Sequence, residues 1–256
     1  MTLQEAIDRY IQSLRAEGRS PRTTQGYSRD LRTLTAELGE DVDVATLTPV
    51  ELLAWAGSDR VMLKADGEPR NVSTVNRARS AVRGLFGFLV RCWAIPRDPA
   101  SVLRITRTEP APPRILAREE EIELLRVIDA DGGTAAKRDA LMVRLLLATG
   151  IRLSSLVGLN TEDIDLANER LSIRAKGRRR LLVELPRALG EELLAQHAEE
   201  GPLFRSRGGK RIGSRQVQLR LAKWLKQAGL PAAIGVHALR HTFGTRMYRE
   251  TRDLRA

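Results

Sequence analysis

Three short stretches of this 256-residue chain combine reactive side chains with turns or helix starts. In the first, Thr149-Gly150-Ile151-Arg152-Leu153-Ser154-Ser155-Leu156, one arginine lies just past a glycine and next to a helix start. In the second, Ala175-Lys176-Gly177-Arg178, a lysine lies in a glycine-containing turn, and Arg179 and Arg180 follow. In the third, Val236-His237-Ala238-Leu239-Arg240-His241-Thr242-Phe243, His237 has Arg240 three residues on and His241 four residues on, so all share a helix face. Arginine presents a planar fork of donors that fits phosphate oxygens in pairs and keeps its charge. Lysine and histidine can pass protons. Singly, each stretch also fits an ordinary solvated turn or helix face. A metal reading of His237 and His241 lacks ligands, because His197 is the one other histidine and no Cys or carboxylate lies close in sequence. No metal is expected.

The elements that must position these residues read from periodicity and caps. Thr2 with Glu5 forms a capping box ahead of a stripe of Leu3, Ile7, Tyr10, Ile11 and Leu14, which Gly18 ends. Ser20-Pro21 opens a second helix running to Gly39, and Thr48-Pro49 a third carrying Leu52, Leu53 and Trp55. A fourth helix over 73–93 buries Val75, Val82, Leu85, Phe86 and Leu89, with Arg77, Arg79 and Arg83 interspersed. Five prolines in 96–113 bar a helix there, so that stretch is expected to be a linker between a helical domain over 1–95 and a second domain over 114–256. The second domain is mixed. Helices are expected over 117–129 and 135–148, with Gly150 as a C-terminal cap, then a short one over 154–159. The period changes to two at Ile164, Leu166, Leu171, Ile173, Leu181, Val183 and Leu185, which predicts strands with Lys176 in their hairpin turn. Helices resume over 187–199, 214–228 and 237–250. The expected class is α+β, mainly helical with a small sheet.

Composition narrows the partner. The chain holds 43 Lys and Arg against 32 Asp and Glu, for a net charge of +11, and 37 of the 43 are Arg. Residues 1–59 are net acidic, whereas 60–107 and 108–256 are net basic. A sequence pI near 10.7 points to a polyanion, most simply nucleic acid. At 42% hydrophobic and 29% charged, the chain is globular rather than disordered. No apolar run approaches the roughly 18 residues of a membrane span, and the N-terminus has no basic-then-apolar signal pattern. The single cysteine, Cys92, excludes an internal disulfide. Together these favour the cytoplasm.

In combination and order, the three stretches resemble the tyrosine recombinase (phage integrase) family, close to its Xer-type and transposon integrase members. The family writes an Arg in a T-G-x-R-x-S-E-L turn, a Lys in a β-hairpin and an H-x-L-R-H-T/A-F box. Thr149 to Arg152, Ala175 to Gly177 and His237 to Phe243 match these. The first domain resembles the family's SAM-like core-binding domain. The resemblance implies DNA strand exchange through a 3′-phosphotyrosine, without metal or nucleotide cofactor. It implies that Arg152 and Arg240 hold the five-coordinate phosphate, Lys176 protonates the leaving 5′-oxygen, and His237 bonds the phosphate or aids proton transfer. It also implies double-stranded DNA and further copies of the chain as partners, up to a tetrameric synapse. A C-shaped clamp on the duplex is expected, with Arg77, Arg79, Arg83 and Arg178 as candidate DNA contacts. For the first three, a plain solvated face is nearly as good a reading.

Two departures stand out. Ser155 occupies the position of the family's acid. The family's nucleophilic tyrosine follows a G-H or G-W box some 20 residues beyond Ala256, whereas Tyr10 and Tyr27 lie in the first domain and Tyr248 sits where relatives have an apolar residue. This chain is therefore expected to bind DNA without cleaving it. Either it stops short of that segment or it is a Tyr-less, regulatory relative. A type IB topoisomerase uses a similar residue set, but the two-domain size and the Xer-like boxes argue against it.

Overall fold

The structure, a computed structural model, describes residues 1–107, 114–174, 180–196 and 200–252. It divides into two compact units, Met1–Glu109 and Pro110–Ala256.

The first unit is helical: α1 (Leu3–Ala16), α2 (Pro21–Leu38), α3 (Pro49–Gly57), α4 (Asp59–Met62) and α5 (Val72–Arg91), followed by a 3-10 turn over Pro99–Val102. The starts follow local chemistry. The Thr2 and Thr48 hydroxyls each accept from the amide three residues on, and Glu5 and Glu51 reach back to complete capping boxes. Ser20 caps α2, with Pro21 at its first position. Helices α1, α2 and α5 close on a core that includes Leu3, Leu31, Leu34, Val82, Leu85, Phe86 and Leu89, with Trp55 of α3. Tyr10 of α1 crosses α5 where Gly84 leaves room: a Cβ at Gly84 would overlap the Tyr10 hydroxyl. Burial pushes that hydroxyl's pKa up to about 12.

The front of the stretch expected as a linker is seated on this unit. Ile95, Pro99, Ala100 and Leu103 are buried in its core, so residues well past 95 complete it.

The second unit contains α6 (Arg118–Asp131), α7 (Thr134–Thr149), α8 (Leu153–Gly158), strands β1 (Ile164–Asp165), β2 (Arg170–Arg174) and β3 (Arg180–Glu184), then α9 (Arg187–Ala195), α10 (Ser214–Gln227) and α11 (Val236–Thr251). The strands form one antiparallel sheet in the order β1-β2-β3, with Ile173 opposite Leu181 and Arg174 opposite Arg180. Leu171 and Ile173 face the core, so the intervening Arg170, Ser172 and Arg174 face outward. Helix α7 is the centre of the unit, with Leu141, Met142, Leu145 and Leu146 all buried. Its buried Asp139 accepts from Arg138 at 2.7 Å, from Arg220 at 2.5 Å and from the Trp224 indole at 2.7 Å. That carboxylate fastens α10 to α7. Among the described residues no helix is long and apolar enough to cross a membrane.

Candidate active site and nucleic-acid interface

The site is built where α7 ends. Gly150 caps α7 in the left-handed region at φ 59°, which turns the chain so that Arg152 becomes the N-cap of α8. Helix α11 packs across this turn. A Cβ on Gly150 would overlap the Phe243 ring of α11, so glycine is required by both conformation and space. From the same helix, the Arg240 guanidinium donates to the Gly150 carbonyl. Phe243 and Arg240 thus clamp the turn that presents Arg152.

The electrostatics follow from this clamp. Arg240 is half-buried, and its pKa is held below the usual arginine value, first by burial and second by the nearby charge of Arg152. Among the described residues, neither arginine has a carboxylate within ion-pair distance. Two mutually repelling guanidiniums without a counter-charge form a ready seat for an anion with several oxygens. His237, in the first turn of α11, is exposed, and its ring meets His241 edge-on with centroids 5.5 Å apart. Arg152 and Arg240 are thus neighbours, and His237 lies one turn before Arg240 on the same helix. Lys176 and Arg178 lie outside the described residues.

Ser155 is engaged where the family acid was expected. Its hydroxyl is 3.4 Å from the Arg174 carbonyl at the end of β2, joining α8 to the sheet. A cleft of about 260 Å³ beside it is lined by Ser154, Ser172, Asp163 and Arg211, among others.

Thr242 and Phe243 belong to the third stretch, and nothing in the sequence assigns them a role. Besides the Phe243 contact, the Thr242 hydroxyl donates to the Ala238 carbonyl at 2.9 Å and accepts from the Leu116 amide at 2.8 Å. Arg246 pairs with Glu121 of α6. The chain entering this unit is thereby held along α11. No linear spacing could signal these pairings. Tyr248, expected to pack, is instead exposed on α11.

The arginines of α5 have internal partners. Arg77 forks onto the buried Asp30 carboxylate at 2.7 and 3.0 Å. Arg79 donates to the Arg104 carbonyl at 3.2 Å and the Ala56 carbonyl at 3.4 Å. Arg83 donates to the Leu103 carbonyl at 3.1 Å. With Asn76, which exchanges two bonds with the Thr106 backbone, Arg79 and Arg83 stitch residues 103–106 to α5.

A helical unit is followed in the chain by a unit of helices around a small antiparallel sheet, and at Gly150 the latter brings together two arginines that have no acidic partner among the described residues. Residues 114–256 match the phage integrase family, and residues 7–92 match the phage integrase N-terminal SAM-like domain. The tyrosine recombinase XerC of Psychromonas ingrahamii is 31% identical over 264 residues, spanning 99% of this chain and 86% of that protein. The XerC of Alcanivorax borkumensis is 31% identical, spanning 100% of this chain and 84% of its own length. Among solved structures, a lambda integrase dimer bound to a COC′ core site superposes with a TM-score of 0.77 at 18% identity, covering 98% of this chain and 91% of the other. The Tn1549 transposon integrase in complex with circular intermediate DNA gives 0.73 at 18% identity, covering 99% and 89%. The chain belongs to the phage integrase family, the tyrosine recombinases.

Proposed function

We propose that this chain recognises duplex DNA as a site-specific recombinase of its family, and that Arg152 and Arg240 hold the non-bridging oxygens of the scissile phosphate. The observation that carries this reading is the pair of guanidiniums at Gly150, which have no counter-charge among the described residues. In the reaction, a tyrosine oxygen attacks phosphorus, the bond from phosphorus to the 5′-oxygen breaks, and that oxygen takes up a proton. Lys176 is the proposed donor, and His237 supports the phosphate or the proton transfer. Rejoining is the reverse attack by a 5′-hydroxyl, so no external energy source enters. Preorganised donors of this kind are worth about 10²–10³ in rate each.

None of the three tyrosines is a good nucleophile. Tyr10 is buried in the first unit's core, Tyr27 belongs to the same unit, and Tyr248 lies two turns of α11 past Arg240, about 12 Å along the helix axis. The 256 residues by themselves are therefore proposed to bind without cutting. Partners are double-stranded DNA and further copies of the chain, in the cytoplasm. Arg178 is a proposed DNA contact. Arg77, Arg79 and Arg83 are weaker ones, because their forks already bond within the unit.

The test is binding of a labelled duplex across a salt series, with a denaturing gel for covalent adduct. Binding should weaken steeply with salt, and Arg152→Ala or Arg240→Ala should lower the slope by about one each. Salt-independent binding would sink the reading. An adduct abolished by Tyr248→Phe would overturn the binding-only part. The second reading is a relative that occupies sites without cutting, favoured by the same tyrosine positions. Fusing the C-terminal segment of a XerC relative separates the two: an adduct supports the recombinase, and its absence supports the regulator.

A further inference from the structure

The outward face of the three-stranded sheet carries two rows of charge with opposite logic. At one end, Asp165 of β1 lies opposite Arg170 of β2, which lies opposite Glu184 of β3. The row is complementary, and the charge of Arg170 helps hold the Asp165 carboxyl below its ordinary pKa, after its hydrogen bonds to Asn168 and the Ala167 backbone. At the other end, Arg174 of β2 lies directly opposite Arg180 of β3. Both are exposed, and among the described residues neither makes an ion pair. The intervening sequence, Ala175-Lys176-Gly177-Arg178-Arg179, contains no acid.

Like charges directly opposite on a sheet destabilise it, as opposite charges stabilise it. Arginine cannot relieve the repulsion by losing its proton. A single exchange to an acid would make this row complementary like the one at the other end of the sheet. Its charge therefore has to be understood through something outside the sheet. Two outward-facing guanidiniums on neighbouring strands offer donor forks to one doubly charged or polymeric oxyanion. Arg174 ends the strand whose last carbonyl meets Ser155, and so borders α8, the helix that Arg152 caps.

We propose that Arg174 and Arg180 form a seat for a DNA backbone phosphate, and that the sheet carries their repulsion as the cost of that contact. The proposal rests on the reading of the chain as a duplex-binding protein. DNA then binds and tightens the same end of the sheet: phosphate neutralises the row, and stability gained on binding comes partly from repulsion removed.

Stability and affinity should move in opposite directions, and the experiment reads both. Arg174→Glu and Arg180→Glu are made singly and together in the full chain, and melted without DNA. Each variant is also titrated with a short mixed-sequence duplex at salt concentrations from about 50 to 200 mM. Each single variant restores an opposite pair, so its unfolding midpoint should rise by about 1–4 °C. The double variant opposes two acids, so its midpoint should fall back toward the parent. The salt slope of binding should fall by about one in each single variant and about two in the double. A stepwise loss of DNA contact beside a midpoint that rises and then returns supports the seat. Unchanged slopes in the single variants overturn it, as do midpoints that fall together with affinity, which would report a damaged sheet. If the parent shows no salt-dependent binding, the duplex-binding reading fails, while the midpoints still test the repulsion.

Discussion

Replacing Gly150 by alanine tests the clamp around the arginine turn, and its cost can be built from two contributions. The first is conformational: a φ of 59° is open to glycine and costs an L-residue about 1 kcal/mol. The second is steric. The new Cβ overlaps the Phe243 ring, so that ring must shift within a packed surface, at a cost of about 1–3 kcal/mol. Gly150→Ala should therefore lose about 2–4 kcal/mol in the second unit. In a Phe243→Ala background the overlap disappears, and the same substitution should lose only about 1 kcal/mol. The difference, a coupling of about 1–3 kcal/mol, is measured by urea unfolding of the four proteins in the cycle. Trp224, the one tryptophan in residues 114–256, supplies the fluorescence signal, with Trp55 and Trp93 replaced by phenylalanine throughout. Equal losses with and without the Phe243 ring would refute the steric argument. A loss well below 1 kcal/mol would refute both contributions. DNA affinity should fall with the clamp, because the carbonyl that receives Arg240 belongs to the shifted residue.

Asp139→Ala leaves the Arg138 and Arg220 guanidiniums and the Trp224 indole without their shared acceptor, and should cost about 3–5 kcal/mol in chemical unfolding; a cost under 1 kcal/mol would mean that α10 is held by its apolar contacts alone. Tyr10 gives a pH dependence. Its folded pKa, about 12, lies above the unfolded value near 10, so its contribution is fully present below pH 10 and is lost as pH rises through 12. The alkaline loss should reach about 2–3 kcal/mol and be absent in Tyr10→Phe, read from unfolding midpoints between about pH 9 and 12. Arg79→Met and Arg83→Met should speed amide exchange at Leu103 and Thr106 while lowering the salt slope of DNA binding by well under one; a slope reduced by about one would instead make these arginines full DNA contacts rather than weak ones.

The helices of both units were legible because their signals are local. Thr2, Ser20 and Thr48 cap the helices that their own sequences open, and Gly150 ends α7 as its position foretells. The change of period at Ile164 marked the sheet, since alternation and helical spacing are distinct patterns. Four-residue α4 and the 3-10 turn at Pro99 were missed because elements that short contain no full period. The site's residue types were legible as a motif, and the turn and helix that carry Arg152, His237 and Arg240 formed as read. What holds the site was not legible. Phe243 against Gly150, and Thr242 beneath the Leu116 amide, join segments far apart in sequence through groups common in any helix. The α5 arginines were read as free cations because their partners are mostly backbone carbonyls, which every residue has.

Those carbonyl partners bear on why arginine outnumbers lysine here. Arg79, Arg83, Arg138 and Arg211 each donate to main-chain oxygens in distant segments; Arg211 alone reaches the carbonyls of Val157 and Leu159 at 2.9 and 2.8 Å and the Asn160 side chain. A guanidinium's rigid fan of donors spans two or more acceptors at once, which an ammonium on a flexible stem does not. A chain with every arginine exchanged for lysine would keep its +11 charge and its far-field pull on a polyanion, yet its loops would come unlaced. The basicity that draws in a partner and the cross-ties that hold the two units in shape are thus one chemical inventory, and only part of it faces outward.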